Sequence, residues 1–341
     1  MKIILALFVF FLGSFLRAET PSLKHSGSVT LPGPVGRRFE SLKVDYKNHY
    51  IYVAHFGADQ VYVVDSNTGK YIKTISDTPG VGGIEYVSSL QKIYTSNFTD
   101  ESIGVVDLKT MKVTKRISAE DKPNGSAYDF DHQKLYVADE NSKNLIVIDV
   151  KTDRHVTKIH FESKLGMPQY DPVKKRVYVN LQDQNLIGVI NPDKDSVESE
   201  FPVQKCKGNH GMAIDSALHL AFIGCEVSST LIVYDLDLHK TISKFDIPLG
   251  VDGIAYDSKL KRVYAACDSG SIAILQVEDA THFHKLADFK IQDKVHSLAV
   301  NLENHKIFFP VEDDDGKPVS KLVILDAVLD KASSEKKLED E

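Results

Sequence analysis

Lys134-Leu135-Tyr136-Val137-Ala138, followed after a short polar gap by Asn144-Leu145-Ile146-Val147-Ile148-Asp149, reads as two β-strands. β-Branched and apolar residues fill both runs, and Asp, Asn and Lys clusters bound them. Working outward, Asn124 to Asp129 supplies a strand before the pair and His155 to Ile159 one after it, with Lys151-Thr152-Asp153 as the turn. Four consecutive strands in this order form an antiparallel meander. The tyrosine at its centre is one of a series. Tyr52, Tyr94, Tyr136, Tyr178, Phe222, Tyr264 and Phe308 follow one another at intervals of 42, 42, 42, 44, 42 and 44 residues. A repeat of about 40–45 residues holding four strands is the unit of a propeller blade. Seven copies predict an all-β chain folded as a seven-bladed β-propeller of four-stranded antiparallel blades.

The third strand recurs as Val61–Asp65, Ile103–Asp107, Ile187–Asn191 and Leu231–Asp235, each ending on Asp or Asn 13 residues past its aromatic. Such side chains accept hydrogen bonds from the following turn, so these positions read as structural. Blade 6 has Val277 there, and blade 7 carries an acidic insert, Glu312 to Gly316. After Asp326 no good fourth strand follows. Ser28-Val29-Thr30-Leu31 stands at the right distance before blade 1 to replace it, which closes the ring and removes an exposed edge.

Residues 1–18 combine Met1-Lys2, an apolar run from Ile3 to Leu12 and a small residue, Ala18, in the pattern of a cleaved signal peptide. A membrane anchor is the alternative, but the run is about half the ~20 apolar residues a spanning helix requires. The expected organisation is a signal at 1–18, a propeller over 19–326 and a charged, disordered tail over 327–341, with no membrane span after cleavage. The mature protein is then secreted or periplasmic. The formal net charge of −7 disfavours nucleic acid as a partner. Three cysteines, Cys206, Cys225 and Cys267, allow at most one bridge, and Cys206–Cys225 is the preferred pair. Thiolates left free beside His210 would instead favour a soft metal ion.

Lys92-Ile93-Tyr94-Thr95-Ser96-Asn97 before Ile103-Gly104-Val105-Val106-Asp107 resembles the YVTN-type β-propeller repeat of YncE-like exported proteins, as do the blade 3 strands quoted above. The resemblance covers about residues 25–326. It implies the fold and leaves function open, because the family hosts surface-layer and binding proteins. The chain contains no tryptophan, so the Trp-Asp pairs of WD repeats are absent.

In a propeller the first residues of each innermost strand stand at the mouth of a central channel. Counting back 12 from each aromatic gives that ring: Glu40, Gly82, Asn124, Gly166, His210, Asp252 and His296. His210, Asp252, His296 and Glu40 belong to blades 5, 6, 7 and 1, neighbours once the ring closes. They have two readings: polar groups solvating a wet channel, or ligands, with Asn124, of a divalent ion such as Zn²⁺ or Ca²⁺. His55, three residues past Tyr52, is a further candidate on a loop at the same end. A more distant similarity to gluconolactonase-type and paraoxonase-like propellers, carried by Glu40, Asn124-Gly125 and Asp252-Gly253, implies a metal-dependent lactonase. Those enzymes typically have six blades, and a further Asn of theirs is Gly166 or His210 here. The leading expectation is an exported binding or scaffold protein whose partner, a small molecule, a metal ion or a protein, sits at the channel mouth. A metal-dependent hydrolase and a periplasmic metal-handling protein are the alternatives.

Overall fold

The computed structural model describes residues 22–291 and 294–328. The expected signal peptide and nearly all of the expected disordered tail therefore lie outside the described residues. Seven four-stranded antiparallel sheets are present. In six of them the strands A to D run outward from the axis in chain order, as in Pro123–Asp129, Lys134–Asp139, Asn144–Asp149 and Arg154–His160 of blade 3. The seventh sheet has the order Leu23–Thr30, Lys317–Ala327, Lys306–Asp314, Ala299–Asn301, so the N-terminal strand is its outer member. Ser28 pairs Val323 and Thr30 pairs Lys321. The last strand runs to Ala327, one residue beyond the expected boundary. The acidic insert is no loop: it lengthens a hairpin in which Asp313 pairs Pro318. Helical structure among the described residues is limited to two 3-10 turns, Phe56–Ala58 and Ser88–Leu90. No helix among them is long and apolar enough to cross a membrane.

The periodic aromatics are buried between blades, where a flat sheet face needs a large side chain to fill the gap to its twisted neighbour. Tyr136 shares one apolar cluster with Leu145 and Val147 of its own blade and Val177 and Val179 of the next. Its hydroxyl donates to Asp195 Oδ1 (2.9 Å), and Lys134 Nζ reaches the other oxygen of that carboxylate at 2.7 Å. Lys92 and Tyr94 hold Asp153 in the same way. The tyrosine thus serves twice, as packing and as a clasp on the outer turn of the next blade. The residues at 13 past the aromatic cap turns as expected. Asp149 Oδ1 accepts from the amides of Lys151 (2.9 Å) and Thr152 (2.8 Å), and Asp65 and Asp235 do the same for their own turns.

Glycines govern the axis. In blades 2 to 6 the A–B register shifts at the start of strand A, and the interrupted stretch contains the ring residue. A β-bulge frees such a residue from the ladder and re-aims its side chain. The residue that follows is Gly83, Gly125, Gly211 or Gly253 in four blades. A Cβ on Gly211 would stand 2.0 Å from Asp252 O, and one on Gly83 2.1 Å from Asn124 O. Backbone meets backbone there. Gly211→Ala must push blade 6 aside and is expected to lower stability by about 1–3 kcal/mol. Gly27→Ala, with nothing within 4 Å of its added carbon, is expected to be near neutral; equal denaturation midpoints for the two variants would contradict this account.

Candidate functional site

Position 12 before each aromatic does converge on the axis. His210 Nε2 lies 3.2 Å from Asp252 Oδ1, Asp252 Oδ2 lies 3.1 Å from His296 Nε2, and that nitrogen lies 2.8 Å from Glu40 Oε2. Arg38 Nε closes the line on Glu40 Oε1 at 2.6 Å. Asp268 Oδ1 sits 3.3 Å from His296 Nδ1. Blades 5, 6, 7 and 1 thus build one relay in which cation and anion alternate. Asn124 stands apart from it: its amide bonds Glu140, which is buried and paired with Lys122 and, at 3.7 Å, with Lys164. Gly82 and Gly166 contribute no side chain. Gly166 is required by the relay, because a Cβ there would stand 2.7 Å from His210 O.

The charges explain one another. Burial alone would lower the His296 pKa, but its bonds to Asp268 and Glu40 and the field of Asp252 and Glu40 outweigh that and push it up to about 11. Burial would raise Asp252, yet His210, His296 and Arg38 hold its carboxyl far below the usual carboxylate range. His210 follows the same logic: desolvation is overcome by Asp252, and its pKa is raised. His296 is therefore an imidazolium whose two N–H groups serve three carboxylates. In this charge state its N–H groups point at Glu40, Asp252 and Asp268, with Arg38 Nη2 also 3.1 Å from Nε2, whereas a metal would need the ring nitrogens as acceptors. Among the described residues no group of three or more His, Cys, Asp or Glu side chains is disposed to hold a metal ion.

His55 does not join the site. It is the last residue of a strand, fully buried, stacked on Phe39 at 3.9 Å between ring centroids and bonded through Nδ1 to Tyr62 Oη at 2.9 Å. Burial lowers its pKa to about 4, so it supports the wall as a neutral ring. Cys206 and Cys225 are joined, and Cys225 pairs with Asn209 in the ladder, so the bridge pins the approach to His210. Cys267 is buried, with its thiol pushed up to about 12 by desolvation. No thiolate stands ready beside His210.

Reading the ring alone misses the funnel above it. The residues four past the aromatics form a second tier: Phe56, Phe98, Glu140, Gln182, Glu226 and Asp268. Arg38, Lys122 and Lys164, two before the ring in blades 1, 3 and 4, complete a recess of about 430 Å³ whose floor is the relay. The signal was present in the same phase counting, but these side chains share no chemistry and form no motif. Below the floor the channel narrows to about 150 Å³ around the Lys43–Glu85 ion pair (2.7 Å). Near its far end, tyrosines tie blades together, as Tyr170 does to Asp131 and Tyr256 to Asp215, both at 2.5 Å.

No protein-family model matches the chain, and no curated protein matches it. Solved structures similar to it include a chain of the Kuenenia stuttgartiensis hydrazine synthase, with a TM-score of 0.76 and 13% identity, covering 88% of this chain and 98% of that one. The RRP9 WD40 repeats give 0.76 and 11%, covering 89% and 99%. A chain of a mitotic checkpoint complex gives 0.76 and 10%, covering 97% and 99%. At these identities the likeness shows the seven-bladed propeller fold and nothing of activity.

A folded pKa of about 11 for His296, above the ordinary value near 6.5, fixes the sign of a pH effect. Its stabilising contribution is complete below about pH 6.5 and is lost as pH rises toward 11. His296→Gln leaves Asp252 and Glu40 short of a cation and is expected to cost on the order of 2–3 kcal/mol at neutral pH. The gap between wild type and variant should shrink steadily from pH 7 to 10 in urea titrations. A gap that stays constant across that range would refute the charged imidazole.

Proposed function

We propose that this chain is an exported β-propeller of the YVTN-repeat kind that binds a polar partner in the recess over its channel. The observation that carries the reading is the relay Arg38–Glu40–His296–Asp252–His210, built from four blades at the floor of a recess of about 430 Å³. Partly buried charges fixed in alternating order are preorganised for a partner that shares their hydrogen bonds. The blades themselves are held by apolar clusters and tyrosine clasps lying away from this floor. Export is supported by the composition of residues 1–18.

The rival, a metal-dependent hydrolase or metal carrier, requires His210 and His296 to give up protons that Asp252 and Glu40 now hold in place, and Asn124 to leave Glu140. A thermal-shift screen of small polar compounds separates the readings, with Zn²⁺ and Ca²⁺ as separate arms, each with and without chelator. A ligand present at a hundred times its Kd stabilises by about 2.7 kcal/mol, which is roughly 4 °C for a domain of this size. Compounds that shift the wild type by that amount are expected to leave His210→Ala/Asp252→Ala unshifted while its circular dichroism stays that of the parent. Equal shifts in both proteins would place the site elsewhere, and chelator-sensitive shifts by a metal alone would favour the rival.

A further inference from the structure

The recess carries opposite charge on adjoining sectors of its wall. On blades 3 and 4, Lys122 and Lys164 share the single carboxylate of Glu140, so that wall carries one positive charge more than it can neutralise. On blades 5, 6, 7 and 1 the lining carboxylates are Glu226, Asp252, Asp268 and Glu40, against His210, His296 and Arg38. With both imidazoles protonated, that wall still keeps one negative charge in excess. The excess falls on Glu226, which is exposed at the rim, makes no ion pair within 4.0 Å among the described residues and has its backbone N–H bonded to Gly208 O.

An apolar ledge faces it. Phe56 and Phe98, on blades 1 and 2, lie with ring centroids 6.0 Å apart, and Phe98 is 39% exposed. Both occupy the tier of Glu226, and blade 5 is the one diametrically opposite the gap between blades 1 and 2. His210, 9% exposed, lines the same recess, and its buried Nδ1 has no hydrogen-bond partner among the described residues. A cationic ligand would meet the lysine pair and an anionic one the Glu226 wall. A ligand with both charges satisfies both walls, and a space of about 430 Å³ falls within the range of small-molecule pockets.

We propose that the recess binds a small zwitterion bearing an apolar group, the chemical class of a free amino acid or a dipeptide. Its carboxylate lies toward Lys122 and Lys164, its ammonium toward Glu226, and its apolar group on Phe56 and Phe98. This rests on the mouth being the binding site. Isothermal calorimetry of the purified protein with glycyl-L-phenylalanine tests it, alongside the N-acetylated and the C-amidated dipeptide. The free dipeptide binds, and each capped form binds about tenfold or more weakly, the loss expected for one charge-assisted hydrogen bond. Glu226→Gln alters an exposed side chain and Lys164→Met a half-buried one whose partner Glu140 keeps Lys122, so both variants are expected to fold. Glu226→Gln weakens the free dipeptide by a similar factor and leaves the N-acetylated form unchanged; Lys164→Met does so and spares the C-amidated form. Capped forms that bind as tightly as the free dipeptide, unchanged affinity in both variants, or no heat from the free dipeptide at millimolar concentration each overturn the assignment. Screen hits that carry a single charge, yet lose their shift in His210→Ala/Asp252→Ala, would discard the zwitterion and keep the mouth. Dipeptide binding that survives that double variant would discard the mouth itself.

Discussion

The close approach of seven inner strands to one axis is the constraint on which everything else depends. Adjacent strands meet there backbone to backbone, with Gly253 N–H donating to His296 O (3.2 Å) and Ser41 N–H to Gly82 O (3.2 Å). Where the approach is tightest, at Gly83 against Asn124 O and Gly211 against Asp252 O, no side chain can be interposed, which is why glycine recurs just after the ring position. The same contacts bring the ring residues of successive blades within reach of each other. Without the glycines, Asp252 could not stand between His210 and His296, and no relay would form.

Given that proximity, the charges had few arrangements open to them. Partly buried carboxylates and imidazoles are tolerated only when paired and hydrogen-bonded. Two histidines, three carboxylates and an arginine in one sector satisfy that demand by alternating. The proton on His296 sits where a divalent ion would otherwise neutralise Glu40, Asp252 and Asp268. Proton and metal are competitors for one electrostatic role, and with the proton in place the Asp252 carboxyl is depressed and both imidazoles are raised.

Much of this was legible from residue spacing, because a blade has a fixed strand length and a fixed place for its buried aromatic. The distance from Tyr136 located its four strands to within a residue or two. The phase of Ser28 to Leu31 located the closing strand, and a count of 12 located Glu40, His210, Asp252 and His296. Partner choice was not legible. Nothing in the order of residues says that Asn124 turns to Glu140 and not to the axis, or that His55 packs flat on Phe39. Those outcomes depend on which neighbour lies closest in space once the blades are stacked. The upper tier was missed because Phe56, Phe98, Glu140 and Glu226 have a common phase but no common chemistry.

That last contrast argues for where function resides. What the fold requires, it requires of every blade: a large buried aromatic at one position, a small residue near the axis, a turn-capping carboxylate or amide at the end of a strand. Those positions repeat with few exceptions. The ring itself and the tier four past the aromatics do not repeat. They run from glycine to histidine and from phenylalanine to glutamate around one circle. A position that is free to vary in seven equivalent settings is not fixed by packing. Here the variation is also ordered, with the lysines of blades 3 and 4 beside Glu226 of blade 5 and the phenylalanines of blades 1 and 2 opposite it. An asymmetric site on a nearly symmetric frame is what recognition of an asymmetric ligand demands.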